Sequence, residues 1–344
     1  MKKIKHFVIE GKDNYDFGFN LGKKLSKDFK KRISLNKKIY KSYGMDYQKM
    51  TDESKKFIPV IKKNCPKFLK EIEGMSEGSG VSFDDLFVMN CEEELLDFYV
   101  PKCSSLAVKT KNGEIFLGHN EDWIKDYRNG GLVVVSGKIG GLKFLSLTYI
   151  GNLVGASCSL NNYGLAFTGN SLNFERFRFG IPRSFILRSL IETRTLKEAE
   201  NLLESHKQSI ASNILLVFKN SSMEDIEKLW MNCDLFFGNK WIVHTNNPLV
   251  KKEQNKGNTE DESVLRYKRA YEILSKEKDV TIESLKKVLR DHKNAPYGIC
   301  GHDSKIERPF GVTIASVIID SKKQWMEVCP GNPCRNKYFK YYLK

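Results

Sequence analysis

An Asn-Gly pair at positions 112 and 113 constrains the fold of this chain more than any other feature. Two short runs of alternating apolar residues flank it, at 101–111 and 114–123. Asn-Gly between such runs favours a β-hairpin, because both residues accept the positive φ of a two-residue type I′ turn. The chain is therefore predicted to contain a sheet that receives these two strands.

A two-residue turn would decide which side chains of the hairpin share a face. It would place Cys103 opposite Asp122, and side chains would alternate between the two faces along each strand. One face would carry Leu106, Val108, Ile115 and Leu117, together with His119. The other would carry Cys103, Ser105, Ala107, Gly118, Asn120 and Asp122. A thiol, a hydroxyl, an amide and a carboxylate are thus predicted to meet at the open end of the hairpin, beside small residues that leave room for a ligand.

The rest of the sequence predicts blocks of helices and strands. Residues 1–100 are predicted to be mainly helical after a short strand at 5–10. Strands are predicted between 103 and 170, helices at 182–193 and 195–205, and strands again between 212 and 244. Helices at 264–276 and 281–292 precede a closing hairpin at 312–328. This order is typical of an α+β protein with helices outside its sheets.

The hairpin resembles the nucleophile hairpin of the acyl-coenzyme A:6-aminopenicillanic acid acyltransferases, a family of N-terminal nucleophile (Ntn) hydrolases. The family pattern is a Cys, two small residues, an apolar strand and then Gly-His-Asn-x-Asp-Trp. Cys103, Ser104, Ser105 and the segment from Gly118 to Trp123 match it. The resemblance implies a four-layer αββα sandwich, in which two stacked antiparallel sheets lie between outer helices.

The resemblance also implies a chemistry. Cys103 would attack an amide or acyl donor to form a thioester, and its own α-amino group, with a reference pKa of about 8, would be the base. That amino group exists only after self-cleavage between Lys102 and Cys103. Cleavage would divide the chain into a helical portion at 1–102 and a catalytic portion at 103–344, which together form one fold. Lys102 stands where relatives often carry Gly, and Ser105 would help to polarise the scissile carbonyl.

Further residues take their expected roles from the same resemblance. Asp122 would hold the new ammonium terminus, since a nearby carboxylate favours the charged amine. Asn246, in a segment similar to the family's His-x-Asn motif, would donate to the oxyanion. Additional pocket or oxyanion candidates are Asn120, Asn162, Asn213 and Arg308. Turn formation explains Asn162 equally well, and Asn246 is also a natural cap before Pro248.

Two other functions remain open on the sequence alone. Cys103 with His119, His244 or His302 would make a Cys-His protease that needs no self-cleavage. The predicted register disfavours His119, which it points away from the thiol. A non-catalytic protein that binds polyanions would account for the net charge of +15. The excess Lys residues are spread along the chain, however, and a solvated surface is the simpler interpretation.

The resemblance implies the partner, and the sequence indicates the compartment. The expected partner is a small amide or an acyl thioester such as acyl-coenzyme A, and neither nucleic acid nor a membrane is expected. The N-terminal residues lack the apolar run of a signal peptide, so a cytoplasmic protein with free thiols is predicted. The segment from Cys329 to Cys334 is interpreted as a tight turn. No cofactor is expected, since the sequence shows neither a Gly-rich phosphate loop nor ligands at metal-binding spacing.

Overall fold

The computed structural model describes residues 2–96, 103–172, 179–219, 221–230, 232–250, 260–303 and 311–344. The first part is mainly helical, as predicted. It contains β1 (His6–Gly11), α1 (Asn14–Ser42), α2 (Tyr47–Lys55), α3 (Ile58–Asn64), α4 (Pro66–Ser79), α5 (Phe83–Met89) and α6 (Glu92–Leu95). In the described ranges, no helix is both long enough and apolar enough to span a membrane.

Strands and paired helices alternate in the rest of the chain. The strands before the next helices are β2 (Ser104–Lys109), β3 (Ile115–Trp123), β4 (Leu132–Ile139), β5 (Leu142–Tyr149), β6 (Cys158–Asn161) and β7 (Leu165–Ser171). Then come α7 (Arg183–Leu190), α8 (Leu196–Ser205), β8 (Ser212–Phe218), β9 (Ser222–Leu229), β10 (Asn232–Phe237) and β11 (Trp241–His244). The chain continues with α9 (Glu260–Ser275), α10 (Ile282–Arg290), β12 (Val312–Asp320), β13 (Trp325–Pro330) and β14 (Phe339–Tyr342).

The strands form two sheets. The first sheet has eight strands in the order β1-β4-β5-β6-β7-β8-β9-β10, and the second has six in the order β11-β2-β3-β12-β13-β14. Neighbouring strands are antiparallel except for β1, which runs parallel to β4 at the edge of the first sheet. The strand from the helical portion therefore belongs to the same sheet as strands that follow Cys103.

Three apolar clusters show how the layers stack. On β4, Val133 and Val135 pack against helices of the first part of the chain, whereas Val134 points to the space between the sheets. On β2, Leu106 contributes to a cluster with α9 and α10, whereas Ala107 points to the space between the sheets. Each sheet thus buries one face against helices and the other against its partner sheet. The predicted αββα sandwich is confirmed.

The nucleophile hairpin has a different turn from the one predicted. Ser105 pairs with His119, and Lys109 pairs with Ile115. Thr110 donates its N–H to the Glu114 carbonyl at 2.8 Å, so three residues separate the closing pair. Only Gly113 of the Asn-Gly pair has positive φ, at +79°. A three-residue loop with Gly in the left-handed region replaces the type I′ turn, and it shifts the register by one residue.

The one-residue shift changes which β3 side chains share a face with Cys103. Glu121 and His119 point between the sheets with Cys103 and Ser105, whereas Asp122 lies on the face towards α10. The predicted facing of Cys103 and Asp122 is therefore wrong, and so is the prediction that His119 points away from the thiol. The predicted apolar face is also divided, because Leu106 and Val108 pack on the helices while Ile115 and Leu117 pack between the sheets.

Candidate active site

The Cys103 thiol lies between the two sheets just before β2, with only 5% of the residue exposed. Its Sγ atom is 3.8 Å from Oε1 of Glu121 and 3.7 Å from the main-chain carbonyl oxygen of Asp122. Burial raises the pKa of the thiol well above its ordinary value, and the negative charges of Glu121 and Asp122 raise it further. Cys103 is consequently a neutral thiol at rest and needs a base before it can act as a nucleophile.

Glu121 joins the thiol to an imidazole and a phenol. Its Oε2 lies 3.1 Å from Nε2 of His119, and its Oε1 accepts a hydrogen bond of 2.6 Å from the Tyr149 hydroxyl. Burial alone would favour the protonated acid, but the hydrogen bond and charge of His119 outweigh it and lower the pKa of Glu121. An ionised carboxylate therefore lies beside the thiol, in the position that the sequence assigned to Asp122.

Ser105 connects this group to a buried polar network. Its Oγ is 2.9 Å from Nδ1 of His119 and donates to Oδ1 of Asn170 at 2.9 Å. Asn170 Nδ2 donates to Oδ1 of Asn213 at 2.9 Å, and Asn213 donates to Asp225. The structure thus brings Ser105 and Asn213 into one hydrogen-bonded chain of buried side chains behind the thiol. Their roles in catalysis and processing stay predictions.

Arg266 on α9 fixes the backbone of Cys103. Its Nη1 donates to the carbonyl oxygen of Cys103 at 2.7 Å and to Ser104 Oγ at 2.9 Å. Its Nη2 donates to Oδ1 of Asn246 at 2.8 Å, while Asn246 Nδ2 donates to the Ser171 carbonyl at 2.7 Å. Asn246 is therefore linked to Cys103 through one guanidinium. A primary amide has two N–H groups, so the proposed donation to an oxyanion would use the second.

Asp122 and Asn120 lie on the other face of β3. Asn120 Nδ2 donates to the carbonyls of Leu289 at 2.9 Å and Ile299 at 3.0 Å, which attaches β3 to the end of α10. The Asp122 carboxylate lies against Gly301, where an added Cβ would be 3.5 Å from its Oδ2. Asn120 therefore has a packing function in this fold, whereas Asp122 still influences the thiol through its charge and its carbonyl.

The other sequence candidates are spread across the molecule. Asn162 accepts from the Lys143 N–H at 2.9 Å and donates to the Gly141 carbonyl at 3.2 Å, so it fixes a turn. Nε2 of His244 lies 2.8 Å from Glu227, and His302 lies beside Cys334. Of the three candidate histidines, the structure brings His119 to Cys103. Lys102 and Arg308 lie outside the described residues.

Glu121, Tyr149, Asn170 and Arg266 were not predicted from the sequence, and His119 was a candidate that the predicted register disfavoured. Polar residues at alternate positions of β3 were a signal for His119 and Glu121, but the assumed turn assigned them to the wrong face. Arg266 is only 3% exposed although it lies in a helix, and its contact with Cys103 spans 163 positions. A contact at that separation has no local sequence signature.

Two groups of side chains in the described ranges have metal-ligand geometry. Cys103, His119 and Glu121 offer ligand atoms within 4.8 Å of one another, and His292, His302 and Cys334 do the same. The first group is already joined by its own hydrogen bonds around the thiol. The fold brings together residues that are distant in sequence, such as His302 and Cys334, so spacing along the chain did not indicate either group.

A small cavity of about 30 Å³ adjoins the Glu121 carboxylate through Tyr149. Its lining residues include Glu92, Glu93, Glu94, Trp123, Tyr149 and Arg183. Arg183 Nη1 donates to Glu93 at 2.6 Å, and the Arg183 main-chain N–H donates to Glu94 Oε1 at 2.8 Å. Burial and then the charge of Glu93 raise the pKa of Glu94 to about 7. The lining of this cavity therefore includes a carboxyl group, that of Glu94, which titrates near neutral pH.

Replacing Glu94 with Gln is expected to stabilise the protein increasingly as pH rises. The native state holds the Glu94 proton more tightly than the unfolded state, so ionisation costs stability between the unfolded pKa and about 7. Gln does not titrate and keeps an acceptor for the Arg183 N–H. The variant's gain in unfolding free energy should grow to at most roughly 3 kcal/mol between about pH 4.5 and 8. Urea unfolding at several pH values measures it, and a gain independent of pH would contradict the assignment.

Comparison with known proteins gives a family. Residues 108–335 match the model of the family described as "Acyl-coenzyme A:6-aminopenicillanic acid acyl-transferase". The chain is 30% identical over 213 residues to "Beta-alanyl-dopamine/carcinine hydrolase" of Drosophila melanogaster. The aligned part covers 56% of this chain and 55% of that protein. This chain therefore spans about half the length of that relative.

Solved structures resemble the fold at low sequence identity. Penicillin V acylase from Agrobacterium tumefaciens is 13% identical, with a TM-score of 0.47, over 70% of this chain and 86% of the other. A variant of conjugated bile acid hydrolase from Clostridium perfringens is also 13% identical, with a TM-score of 0.48, over 70% and 97%.

Proposed function

The chain belongs to the acyl-coenzyme A:6-aminopenicillanic acid acyl-transferase family, and on that premise we propose that it cleaves small amides through a thioester on Cys103. The proposal rests on the groups that surround the Cys103 thiol. Sγ lies beside the Glu121 carboxylate, while Arg266 holds the carbonyl of the same residue. One cysteine therefore combines a fixed backbone with a nearby group that can stabilise a positive charge.

The base in this proposal is the α-amino group of Cys103, freed by self-cleavage. During maturation the thiol attacks the Lys102 carbonyl, and its proton passes to the amide nitrogen as the C–N bond before Cys103 breaks. Water then hydrolyses the resulting thioester, which leaves a carboxylate on Lys102 and a free thiol and α-amine on Cys103. The free amine, with a pKa of about 8, can then take the proton of the thiol. In the matured chain this amine compensates for the raised pKa of the thiol, because the thiolate forms only as the amine becomes ammonium.

Turnover follows from the same groups. The thiolate attacks the substrate carbonyl, and the second N–H of Asn246 supports the negative oxygen. The ammonium returns its proton to the departing amine, which leaves a thioester on Cys103. Water or an acceptor amine then takes the acyl group. Glu121 stabilises the ammonium in each cycle because its ionised carboxylate faces the cysteine, and Asp122 adds its charge from the other face of β3.

A second candidate mechanism uses His119 and leaves the chain intact. It is favoured by one observation, the position of the His119 imidazole within 4.8 Å of the Cys103 sulfur. Both ring nitrogens already have partners, however, with Nδ1 beside Ser105 and Nε2 beside Glu121. A thiol–imidazole proton transfer would have to break one of these contacts, which makes the α-amino mechanism the better supported of the two.

The substrate class is proposed from the relative. Because that protein is a beta-alanyl-dopamine/carcinine hydrolase, we expect this chain to act on small acyl amines, with β-alanyl amides as the first compounds to test. The family description adds acyl-coenzyme A as a donor. The acyl group would pass to water in one case and to an amine in the other, and both routes share the Cys103 thioester.

Intact mass and N-terminal sequencing of the purified protein test the proposal. We expect a second chain that begins at Cys103, together with release of free amine from a panel of β-alanyl amides, N-acyl amino acids and acyl thioesters. An uncleaved chain that turns over any of these substrates, and loses activity in His119→Gln, would replace the α-amino mechanism with the second one. An uncleaved chain inactive on the whole panel would contradict both.

A further inference from the structure

Two loops at the end of α10 and after β13 bring thiols and imidazoles together. Cys334 Sγ lies 3.2 Å from Nε2 of His302 and 3.6 Å from Sγ of Cys300. Cys300 Sγ lies 3.6 Å from the same His302 nitrogen. His292 offers a ring nitrogen within 4.8 Å of the His302 and Cys334 ligand atoms. This group, the Cys300–Cys334 cluster, contains two sulfurs and two imidazoles.

The spacing of the cluster fits a tetrahedral zinc ion. With Zn–S bonds of about 2.3 Å and Zn–N bonds of about 2.0 Å, a tetrahedron has edges of about 3.8 Å between sulfurs and about 3.5 Å between sulfur and nitrogen. The corresponding separations here are 3.6 Å for the two sulfurs and 3.2 and 3.6 Å for sulfur to nitrogen. Three ligands are thus close to their final positions. The His292 nitrogen lies within 4.8 Å of the His302 and Cys334 ligand atoms but not of Cys300, so this exposed imidazole would move towards Cys300 to become the fourth ligand.

The surroundings suit this ligand set. Cys300 is buried, His302 and Cys334 are half-buried, and His292 is exposed, so the cluster opens to solvent on one side. Asn332 Nδ2 lies 3.4 Å from Cys300 Sγ and donates to the Gly301 carbonyl at 2.6 Å. Such outer contacts hold ligands in place.

We propose that Cys300, His302, Cys334 and His292 form a structural zinc site. Binding would release the two thiol protons and leave a neutral complex of two thiolates and two imidazoles. The ion would tie the loop after α10 to the turn after β13. Gly301, between two of the ligands, lies against the Asp122 carboxylate, and its carbonyl also faces Arg128 Nη2 at 3.5 Å. The site would therefore fix the position of Gly301, against which the Asp122 carboxylate lies.

Metal titration of the full-length protein tests the site. After purification under reducing conditions and treatment with a chelator, the chain is expected to take up about one Zn²⁺, as four protein ligands saturate a structural site. Co²⁺ in its place should give the absorption of thiolate-to-cobalt charge transfer. Cys334→Ser and His302→Gln should weaken Zn²⁺ binding at least about tenfold. His292→Gln, at an exposed position, gives a variant in which loss of binding is separable from misfolding.

Two controls separate this site from the group around the thiol. Cys103→Ala should keep the full Zn²⁺ stoichiometry, because Cys103 belongs to the other group. Cys233→Ser, at a half-buried cysteine on β10, should also keep it. Loss of binding in Cys103→Ala with retention in Cys334→Ser would overturn the proposal. A reduced chain that takes up no Zn²⁺ would overturn it, and so would a Cys300–Cys334 disulfide that persists under reducing conditions.

Discussion

Replacing Cys103 with Ala is expected to abolish both self-cleavage and amide hydrolysis. In the proposed mechanism the same sulfur forms the bond to the Lys102 carbonyl in maturation and to the substrate in turnover, and no other described thiol lies in this group. Removing a nucleophile of this kind lowers kcat by at least about a thousandfold. The measurements are the mass of the chain on a denaturing gel and the release of free amine from a substrate found in the panel.

Matched variants make the Cys103 result specific. Cys233→Ala removes a half-buried thiol on β10 that packs against the apolar cluster beneath the helices of the first sheet, and it should leave cleavage and kcat unchanged. Cys103→Ser keeps a weaker nucleophile and should cleave slowly or not at all. Urea unfolding should show similar stability for wild type and Cys103→Ala before cleavage. Hydrolysis by Cys103→Ala within tenfold of the wild-type rate would remove Cys103 from the mechanism.

Replacing Glu121 with Gln is expected to separate thiol reactivity from catalysis. The Glu121 charge raises the pKa of the Cys103 thiol, so the neutral amide should lower that pKa and speed alkylation by iodoacetamide at a fixed pH. Turnover should nevertheless fall by about a hundredfold, because the ammonium loses the carboxylate that stabilises it. The two measurements are the pH dependence of alkylation and the kcat of the cleaved enzyme.

Asp122→Asn is the companion variant. The Asp122 charge also raises the pKa of the Cys103 thiol, but its effect is smaller than that of the Glu121 charge. The pH dependence of alkylation should therefore shift in the same direction as in Glu121→Gln, by a smaller amount. The expected loss of kcat is correspondingly smaller. If Asp122→Asn reduces kcat while Glu121→Gln leaves it unchanged, the ammonium partner is the residue that the sequence resemblance indicated. The structure's assignment to Glu121 would then be wrong.

The order of helices and strands predicted an α+β protein with helices outside its sheets, and the family resemblance made the αββα layers specific. Apolar residues at consecutive positions of β4 and β12 require cover on both faces, which the helices and the partner sheet supply. The sequence did not determine which β3 side chains share a face with Cys103. Asn-Gly fits a two-residue turn and also the last two positions of a three-residue loop with Gly at positive φ. The one extra residue in the loop shifts the register, so Glu121 rather than Asp122 has its carboxylate beside the Cys103 thiol.

Contacts over long separations account for the remaining misses. Arg266 reaches the Cys103 carbonyl from α9, and Cys300 meets Cys334 across 34 positions. Neither contact follows from spacing in the sequence, because both depend on where the second sheet places its outer helices and loops. The tight turn after Cys329 is confirmed, with Gly331 at positive φ, but the turn alone did not indicate that His302 lies beside Cys334.

The edge strand β1 decides what self-cleavage would do to the whole molecule. β1 is hydrogen-bonded along its length to β4, and α1 and α4 cover the outer face of the same sheet. Cutting the backbone ahead of Cys103 would therefore change the number of polypeptides without releasing either one. A matured sample should elute in gel filtration as a single particle of unchanged size and resolve into two bands only in detergent. Neither fragment, expressed alone, should regain a cooperative melting transition.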